Sequence, residues 1–425
     1  MSRQDPLPRA ACAGCVVAAR EPLGARRNGR AVTGTQFAFL WRLRDRTRTS
    51  RLAAGLCRCT RSAGILRSGF APGRPPRHNT GALTTEGWNS VVKLALIGAG
   101  AWGQNLLRNL VHLRNADLVL CCDTDGGKCA NAAAEHKALR VCGDPDEVIE
   151  SPEVEAVVIA TPASSHYELA VRAMEAGKDV FVEKPMTLSL DNARKLVDLA
   201  DRESRVLMVG HLLEYHPAVE KMKELLDAGE IGEPYYLYSE RVNLGRIRTD
   251  ENALWSFAPH DISIILYLLN QEPVEVAARG AAYIQPDIED VAFLWMQFPG
   301  NRLAQVHVSW LDPHKVRRTT LVGSKKMIVF DDMQAAEKIR IYNKGVEYNG
   351  QFAGYAEALS LRFGEVTVPV LKMREPLRIE CEHFADCVAK RATPRSDGRD
   401  GLRVVRVLDA AQRSLKAGGA PVGLE

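Results

Sequence analysis

The sequence predicts an α/β protein whose first folded part carries a parallel, doubly wound sheet and whose second part is rich in strands. Three observations predict this fold. From residue 92 onward, short apolar runs alternate with helical patterns; a glycine-rich turn follows the first run; and after residue 230 closely spaced strand patterns replace the alternation. Alternating strands and helices are typical of a parallel sheet that helices cover on both faces.

The apolar runs of the first part predict five strands. They cover residues 93–98, 117–122, 155–160, 179–183 and 205–210. Helical patterns fill the gaps between them, including Gln104–Leu113, Ser165–Ala176 and Leu190–Arg202. Because this alternation ends shortly after the fifth run, we place the first domain at residues 91–213.

The second part, residues 214–425, shows the composition of strands joined by turns. Runs with β-branched and aromatic residues cover 234–243, 274–284, 290–298, 303–311, 316–323, 326–330 and 338–342. Pro299-Gly300-Asn301 predicts a hairpin turn between two of these runs. Helical patterns cover Pro259–Leu269, Ile379–Lys390 and Gly401–Leu415, and we expect the last two helices to pack on a sheet.

The charge of the chain is unevenly distributed. Residues 1–90 hold 16 arginines, no lysine and 4 acidic residues, a net charge of +12. The other 335 residues hold 40 basic and 48 acidic residues, a net charge of −8. The folded part is therefore mildly acidic, which gives no electrostatic reason to expect a nucleic-acid partner.

The arginine-rich stretch 1–90 has three interpretations. It could be an organellar targeting segment, a basic arm for nucleic acid, or the translation of a GC-rich upstream region, with the true start near Val91 or Val92. The absence of lysine favours the last, because GC-rich codons favour arginine. We predict disorder for most of these residues, since they lack helical or strand periodicity.

Neither a disulfide framework nor a metal site is expected. The ten cysteines are scattered, and neither Cys12-x-x-Cys15 nor Cys57-x-Cys59 is followed by a pair of histidines. No apolar run approaches the roughly 20 residues of a membrane-spanning helix, so we expect no membrane association and a cytoplasmic location.

A glycine motif follows the first strand. Gly98-x-Gly100-x-x-Gly103, with Ala101 and Trp102 between the last two glycines, lies between a strand and a helix. In a dinucleotide-binding turn the first glycine allows the tight turn, the second lets a pyrophosphate approach, and the third lets helix and strand pack closely. The sequence therefore predicts a Rossmann-type cofactor site at the start of the helix.

Asp123 ends the second strand about 20 residues after the last glycine, where an acid typically accepts hydrogen bonds from the adenosine ribose. No lysine or arginine occupies positions 124–127 to hold a 2′-phosphate, so NAD is favoured over NADP. In the alternative interpretation Asp123 merely begins a turn.

Further along, two strand ends carry polar residues. Thr161, Pro162 and His166 follow the third strand, and Glu183-Lys184-Pro185 ends the fourth. Ligands of open parallel sheets bind at the carboxyl ends of the strands, so we expect these residues to line the cofactor groove. His166 could equally be a helix-start residue without a binding role.

The glycine motif, Ala160-Thr-Pro162, Glu183-Lys184-Pro185 and the later His260-Asp261 together resemble the glucose–fructose oxidoreductase/inositol dehydrogenase/MocA family. The resemblance covers residues 92–425. It implies a C-terminal α+β domain with a large, mostly antiparallel sheet, through which family members often oligomerise. We therefore expect a homodimer or homotetramer that acts on a small molecule.

Within that family, Asn243–Arg248 and Asn252–Asp261 look most like the branch that oxidises nucleotide-linked amino sugars such as UDP-N-acetylglucosamine, at C3. Two alternatives remain open. One is a dehydrogenase of inositol or another cyclic polyol, and the other is an NAD-binding regulatory protein without catalysis.

Lys184 and His260 are the expected catalytic residues. We expect His260 to act as the general base from the N-terminus of its helix, where the dipole disfavours imidazolium, and Lys184 to share the proton or stabilise the alkoxide. Many relatives carry an aspartate four residues before the histidine, whereas this chain has Ser256. Asp261 is adjacent but should point elsewhere on the helix.

Substrate contacts are expected from the segment before His260. Arg246 and Arg248 suit a diphosphate, or are solvated loop charges. Polar or aromatic contacts to the sugar or base could come from Asn243, Asn252, Trp255, Tyr236 and Tyr238.

Overall fold

The computed structural model describes residues 91–137, 139–348 and 359–424. The prediction of disorder for residues 1–90 therefore concerns residues outside these ranges. The six cysteines within them are buried and form no disulfide. Across the same ranges, no helix combines the length and apolar character needed to cross a bilayer.

Six parallel strands form the first sheet, in the order β3-β2-β1-β4-β5-β6. They are β1 Val92–Ile97, β2 Ala116–Cys122, β3 Arg140–Cys142, β4 Ala156–Ile159, β5 Asp179–Glu183 and β6 Leu207–Gly210. The predicted parallel architecture is confirmed, and the five predicted strands are β1, β2, β4, β5 and β6. Strand β3 was not predicted, because three residues are too few to show a periodicity.

Five helices connect these strands. They are α1 Gly103–Leu110, α2 Gly126–Glu135, α3 Pro145–Ile149, α4 His166–Glu175 and α5 Leu190–Arg202. The chain builds outward from β1 to β3 and then returns to place β4 on the other side of β1. This reversal opens a crevice beyond the carboxyl ends of the two strands, which is where open α/β sheets bind their ligands.

Nine strands form the second sheet, in the order β14-β13-β12-β11-β7-β10-β9-β8-β15. They are β7 Pro234–Val242, β8 Glu275–Ala281, β9 Val291–Phe298, β10 Arg302–Ser309, β11 Val316–Gly323, β12 Met327–Asp331, β13 Ile339–Tyr348, β14 Leu359–Thr367 and β15 Val422–Gly423. Every pair is antiparallel except β7 with β10. This confirms the expected large, mostly antiparallel sheet.

Four further helices pack on the two sheets: α6 Pro217–Asp227, α7 Ala253–Leu269, α8 Pro376–Lys390 and α9 Gly398–Lys416. Helices α7 and α9 share an apolar core with the nine-stranded sheet, in which Ile264 and Leu408 pack with Val306. Helix α8 returns to the six-stranded sheet, where Phe384 meets Phe181 edge to face at 5.7 Å between ring centres. The tail helices thus pack on sheets, as expected.

Helix α7 begins earlier than predicted, and this changes the position of His260. The side chain of Asn252 caps the helix by accepting a hydrogen bond from the Trp255 N–H at 3.1 Å, and Pro259 lies inside the helix. The pattern predicted a start at the proline, because proline favours the first turn. The expectation that His260 stands at a helix N-terminus is therefore wrong, since it lies about two turns inside.

Candidate active site

The glycine loop has the shape that a phosphate-binding turn needs. Gly98 has a φ of 101°, and a Cβ there would lie 2.7 Å from the carbonyl carbon of Ala160. A Cβ on Gly103 would overlap the carbonyl oxygen of Gly98, so this position brings α1 against the loop. Gly100 faces open space, with nothing within 4 Å of an added Cβ. These residues fit a dinucleotide pyrophosphate at the start of α1.

Asp123 lies beside this loop at the end of β2. Its Oδ2 accepts the Ala99 N–H at 2.8 Å, and its Oδ1 accepts the Asp125 N–H at 2.9 Å. Lys128 makes an ion pair with it at 3.3 Å. Burial would raise the pKa of this carboxyl, but the hydrogen bonds and Lys128 outweigh burial and lower it. The carboxylate is ionised and fixed beside the loop.

Trp102 and Glu183 connect the glycine loop to the end of β5. The Trp102 indole donates to Glu183 Oε1 at 2.6 Å, and the Lys184 N–H donates to Oε2 at 3.2 Å. Burial raises the pKa of Glu183, while the tryptophan donor and the charge of Lys184 oppose that shift. These two hydrogen bonds fix the glycine loop relative to the end of β5, where Lys184 lies.

His166 is buried in the first turn of α4. Its two ring nitrogens lie 2.9 Å from the carbonyl oxygens of Pro185 and Thr161. The ring therefore connects the end of β4 to the segment after Lys184. This contact favours a structural role.

A cleft of about 1070 Å³ opens between the two sheets. Its lining comprises Trp102, 160–164, His166, 183–185, Leu188, Gly210, Leu212, Arg248, 250–251 and His260. Six of the predicted cofactor residues thus line the cleft, whereas Gly98, Gly100, Ala101, Gly103 and Asp123 do not. The cleft brings Lys184 together with His260 from the other half of the chain.

Lys184 reaches across the cleft to α7. Its Nζ donates to the carbonyl oxygen of Ser256 at 3.0 Å. Burial lowers its pKa, and the carboxylates of Glu251 and Glu183 oppose the shift. Ser256 lies four residues before His260, and its backbone carbonyl orients the lysine.

His260 is neutral in this structure. Burial lowers its pKa well below the ordinary value, and the positive charges of Lys184 and Arg241 lower it further. The cause is therefore burial among cations, and not the helix dipole that the sequence suggested. Its Nδ1 is buried and has no hydrogen-bond partner within the described residues.

Asp261 points away from the cleft, as expected. It pairs with the Arg241 guanidinium at 2.6 Å and accepts a hydrogen bond from the Ser239 hydroxyl at 2.6 Å. The ion pair is buried between α7 and β7. Asp261 therefore contributes to the core of the second half and does not touch the His260 ring.

The expected substrate residues divide into two groups. Arg248 lines the cleft and pairs with Glu251 at 2.9 Å and with Asp250 at 3.7 Å. The others do not line it: Arg246, Asn243, Asn252 and Trp255. Asn252 and Trp255 contribute to the start of α7, and their contact with substrate stays a prediction.

The Asn252 and Trp255 side chains already have partners within the protein. The Asn252 amide donates to Glu289 at 2.6 Å and to Gln412 at 2.9 Å, and the Trp255 indole donates to the same Gln412 oxygen at 3.1 Å. The suggested stacking residues, Tyr236 and Tyr238, are exposed on β7 and do not line the cleft.

A cluster of buried ionisable residues lies behind the cleft floor and was not anticipated. His211 follows Gly210 of the floor, and its Nδ1 is 2.7 Å from Asp400 and 3.4 Å from Glu214. We call these three residues the buried acid cluster; their ligand-type atoms lie within 4.8 Å of one another. Residues 189 positions apart in sequence gave no signal of this contact.

Comparisons with known proteins agree with this geometry. The profile of the GFO/IDH/MocA oxidoreductase family, NAD-binding Rossmann fold, matches residues 92–211, and that of the GFO/IDH/MocA C-terminal domain matches 219–329. The chain is 28% identical to scyllo-inositol 2-dehydrogenase (NAD(+)) of Bacillus subtilis over 349 residues, 79% of this chain and 96% of that protein.

A second relative acts on a nucleotide sugar. The chain is 30% identical to UDP-N-acetylglucosamine 3-dehydrogenase of Acidithiobacillus ferrooxidans over 285 residues, 67% of this chain and 85% of that protein. A solved structure of that enzyme has a TM-score of 0.66 at 27% identity and covers 77% of this chain and 98% of its own. The chain therefore belongs to the GFO/IDH/MocA family of oxidoreductases and is a dehydrogenase that acts on CH–OH groups with a nicotinamide dinucleotide.

Proposed function

We propose that this protein oxidises a ring hydroxyl, at C3, of a nucleotide-activated amino sugar such as UDP-N-acetylglucosamine, with NAD as the preferred cofactor. The observation that carries the proposal is the meeting of Lys184 and His260 in the cleft beside the glycine loop. The similarity to the UDP-N-acetylglucosamine 3-dehydrogenase supports the choice of substrate class. Asp123 supports NAD, because a carboxylate suits ribose hydroxyls and repels a 2′-phosphate.

The chemistry requires that a hydride and a proton leave one carbinol. The bound dinucleotide supplies the hydride acceptor at its nicotinamide ring. The protein must then orient the hydroxyl and accept its proton. The cleft offers two groups for these tasks, the Lys184 amine and the His260 imidazole.

We assign the proton to Lys184 and the orientation of the hydroxyl to His260. Burial lowers the pKa of Lys184 towards the working range of a base, and its hydrogen bond to Ser256 fixes the amine. His260 stays neutral because burial lowers its pKa, so the ring is a weak base, and its unprotonated nitrogen can accept a hydrogen bond from the hydroxyl. This reverses the roles that the sequence suggested.

The pH profile separates the two assignments. If Lys184 takes the proton, kcat for oxidation rises with pH above neutrality, because the amine loses its proton there. If His260 takes it, kcat is flat above pH 6.5, because the ring is already neutral. A kcat that does not change with pH would indicate that His260, and not Lys184, accepts the proton.

Arg248 is the proposed contact to the diphosphate. Its guanidinium lines the cleft, and the bonds to Glu251 and Asp250 hold it there while leaving donors for a ligand. Arg246 and Asn243, on the same loop, are secondary candidates that would have to move to reach the cleft.

A cyclic polyol is the second candidate substrate. The specific observation in its favour is that Arg248 is already paired with two carboxylates, so a neutral substrate would leave no charge uncompensated. The scyllo-inositol 2-dehydrogenase relative covers more of this chain than the nucleotide-sugar enzyme does.

The deciding experiment follows NADH absorbance on addition of UDP-N-acetylglucosamine, its uronate, myo-inositol or glucose to the purified protein with NAD. Activity with one UDP-sugar, and a rise of about tenfold or more in its KM in Arg248→Gln, would support the proposal. Activity with the polyol alone, unchanged in Arg248→Gln, would support the second candidate.

The same panel tests the regulatory alternative. A protein that binds NADH but oxidises none of the four compounds would favour a role without catalysis. Unchanged turnover in Lys184→Ala would contradict the mechanism directly.

We also propose that copies of the chain associate through the outer face of the nine-stranded sheet. Exposed large side chains lie side by side there: Tyr236 and Tyr238 on β7, Leu303 on β10, and Phe293 and Trp295 on β9. Leu303 pairs in register with Tyr236. A contiguous apolar face of this kind typically marks a protein interface, and a second copy is the occupant proposed.

Light scattering after size exclusion tests this association. Trp295→Glu should shift a dimer or tetramer to smaller species, whereas Tyr283→Glu, an exposed aromatic on the loop between β8 and β9, should not. Monomeric wild-type protein would refute the proposal. The cytoplasmic location stays a prediction.

A further inference from the structure

Two arginines lie side by side on the nine-stranded sheet, beside the cleft histidine. Arg241 of β7 and Arg317 of β11 are directly opposite each other in an antiparallel pair, so their side chains point to the same face. That face is the one that α7 covers, because Arg241 pairs there with Asp261 at 2.6 Å. Asp261 follows His260 on α7, and the positive charges of both arginines lower the pKa of that histidine.

The charges of the two guanidinium groups are unequally compensated. Arg241 donates to both oxygens of Asp261, at 2.6 and 3.3 Å. Arg317 meets Asp332 at 3.8 Å, which is longer than a hydrogen bond, and Asp332 already accepts a hydrogen bond from Lys338 at 3.1 Å. Because like charges directly opposite each other on neighbouring strands repel, an anion bound to Arg317 would stabilise the pair.

Arg317 is also accessible to a ligand. Its side chain is 40% exposed, whereas that of Arg241 is 9% exposed. Arg317 is not among the residues that line the cleft, to which α7 contributes His260. A group that reaches the Arg317 guanidinium must therefore extend from the substrate past His260.

Each of the two reacting groups thus has an arginine near it. The charge of Arg248 lowers the pKa of Lys184, and the charge of Arg317 lowers the pKa of His260. If Arg248 contacts the diphosphate, as proposed above, Arg317 is left for a second anionic group on another part of the substrate. The acidic group that a sugar ring itself can carry is a carboxylate, which a guanidinium binds through two parallel hydrogen bonds.

We infer that Arg317 binds a carboxylate on the sugar ring, so that the enzyme prefers an acidic nucleotide-linked amino sugar to the neutral one. The inference rests on the proposed function and narrows its substrate class. Arg317 then determines specificity: it contacts the substrate away from the reacting carbinol and takes no part in the proton transfer.

A comparison of two substrates tests the inference. We would measure kcat/KM with NAD for UDP-N-acetylglucosamine and for its uronate, which carries the carboxylate. The wild type should prefer the uronate by about tenfold or more. Arg317→Gln should raise the KM for the uronate by about tenfold or more and change that for the neutral sugar little, because one charge-assisted contact is lost. Arg317→Lys keeps the charge without the paired geometry and should give an intermediate KM.

Arg318→Gln is the matched control. Arg318 is the next residue of β11, so its side chain points to the opposite face of the sheet, where it pairs with Asp331 at 3.1 Å. Its side chain is 43% exposed, close to the value for Arg317. The ratio of the two kcat/KM values should stay at that of the wild type. A loss of fold would lower both rates and would not imitate a change in their ratio.

Binding separates the failures. Calorimetric titration of each UDP-sugar into the protein with NADH gives a Kd without turnover. If the wild type does not prefer the uronate, or if Arg317→Gln affects both sugars equally, the inference is wrong, while oxidation of either sugar still supports the proposed function. If neither sugar is oxidised, the proposed function is wrong. A uronate Kd that rises about tenfold in Arg317→Gln would then still support the carboxylate site, and an unchanged Kd would overturn it.

Discussion

Two histidines on either side of the cleft floor show opposite charge states. His260 lines the cleft, and burial together with the positive charges of Lys184 and Arg241 lowers its pKa well below the ordinary value. His211 lies just behind the floor. Burial would lower its pKa too, but the hydrogen bond with Asp400 and the nearby carboxyl of Glu214 raise it to about 10. The difference shows that the nearest charges, and not burial alone, decide whether an imidazole carries a proton.

The two regions serve different purposes. The cleft is open, and Nδ1 of His260 has no hydrogen-bond partner within the described residues, as a site for a ligand requires. The buried acid cluster is closed and joins the end of β6 to α9. Neither oxygen of Glu214 has a hydrogen-bond partner within the described residues, and burial raises its pKa to about 8. We therefore regard the cluster as a structural contact between the two halves of the chain. Its stability depends on His211 and Glu214 keeping their protons.

The largest expected effect comes from removing the amine of the cleft. Lys184→Met should lower kcat by about 10³-fold, because the residue proposed to accept the proton is lost. Binding of NADH, measured by fluorescence, should change little. Lys195→Met, on the exposed face of α5, provides a control with unchanged kcat. A loss below about tenfold would show that Lys184 is not the base.

A smaller effect is expected from the cleft histidine. His260→Gln keeps an acceptor near the hydroxyl but loses the geometry of the ring, so kcat should fall by about 10²-fold. The alkaline rise of kcat with pH should persist, because the pKa of Lys184 causes it. Disappearance of that rise in the variant would indicate that the histidine carries the titration.

We expect the charge state of the buried acid cluster to affect the stability of the fold and not the catalytic rate. The folded pKa of His211 is about 10 against an ordinary 6.5, so its contribution is complete below pH 6.5 and is lost as pH rises to about 10. Burial raises the pKa of Glu214 to about 8, so its contribution to stability also falls as pH rises. The Tm of wild type should therefore fall as pH rises over this range.

Asp400→Asn tests that dependence. The variant should lose about 3 kcal/mol of unfolding free energy near pH 6.5 and much less near pH 10, because it breaks a buried charged pair. Thermal melts from pH 5 to pH 10 measure the difference. A loss of unfolding free energy that stays constant from pH 5 to pH 10 would mean that His211 is neutral, as His260 is.

The smallest expected effect concerns Glu183, which lies between the two regions. Trp102→Phe removes the 2.6 Å hydrogen bond to this carboxyl, so its pKa should rise further and its negative charge should diminish. Because that charge raises the pKa of Lys184, the alkaline rise of kcat should move to slightly lower pH. The rate at the plateau should change by no more than about threefold. A shift to higher pH would contradict the coupling.

Local patterns sufficed to predict much of the fold and part of the site. The parallel sheet follows from strands such as 93–98 that are apolar throughout, and the cofactor turn follows from three glycines at fixed spacing. Lys184 was found because it ends a recognisable strand, and His260 was found through the resemblance of its segment to the family. Lys128 could have been found by extending the search by one residue into a predictable helix.

Other features depend on residues that are distant in sequence. The start of α7 is stabilised by Asn252, whose amide is held by Glu289 and Gln412. Because a helix pattern with a proline in it suggests a start at the proline, the two preceding turns were missed.

The sequence by itself determined the order of strands and helices, the glycine turn and the residues that can exchange a proton, because these depend on neighbours within a few positions. The tertiary structure decided their charge states and roles. Lys184 meets the carbonyl of Ser256, His260 lies among cations, and His211 lies between carboxylates. Coulombic and desolvation energies depend on distance in space, and only the folded chain sets those distances.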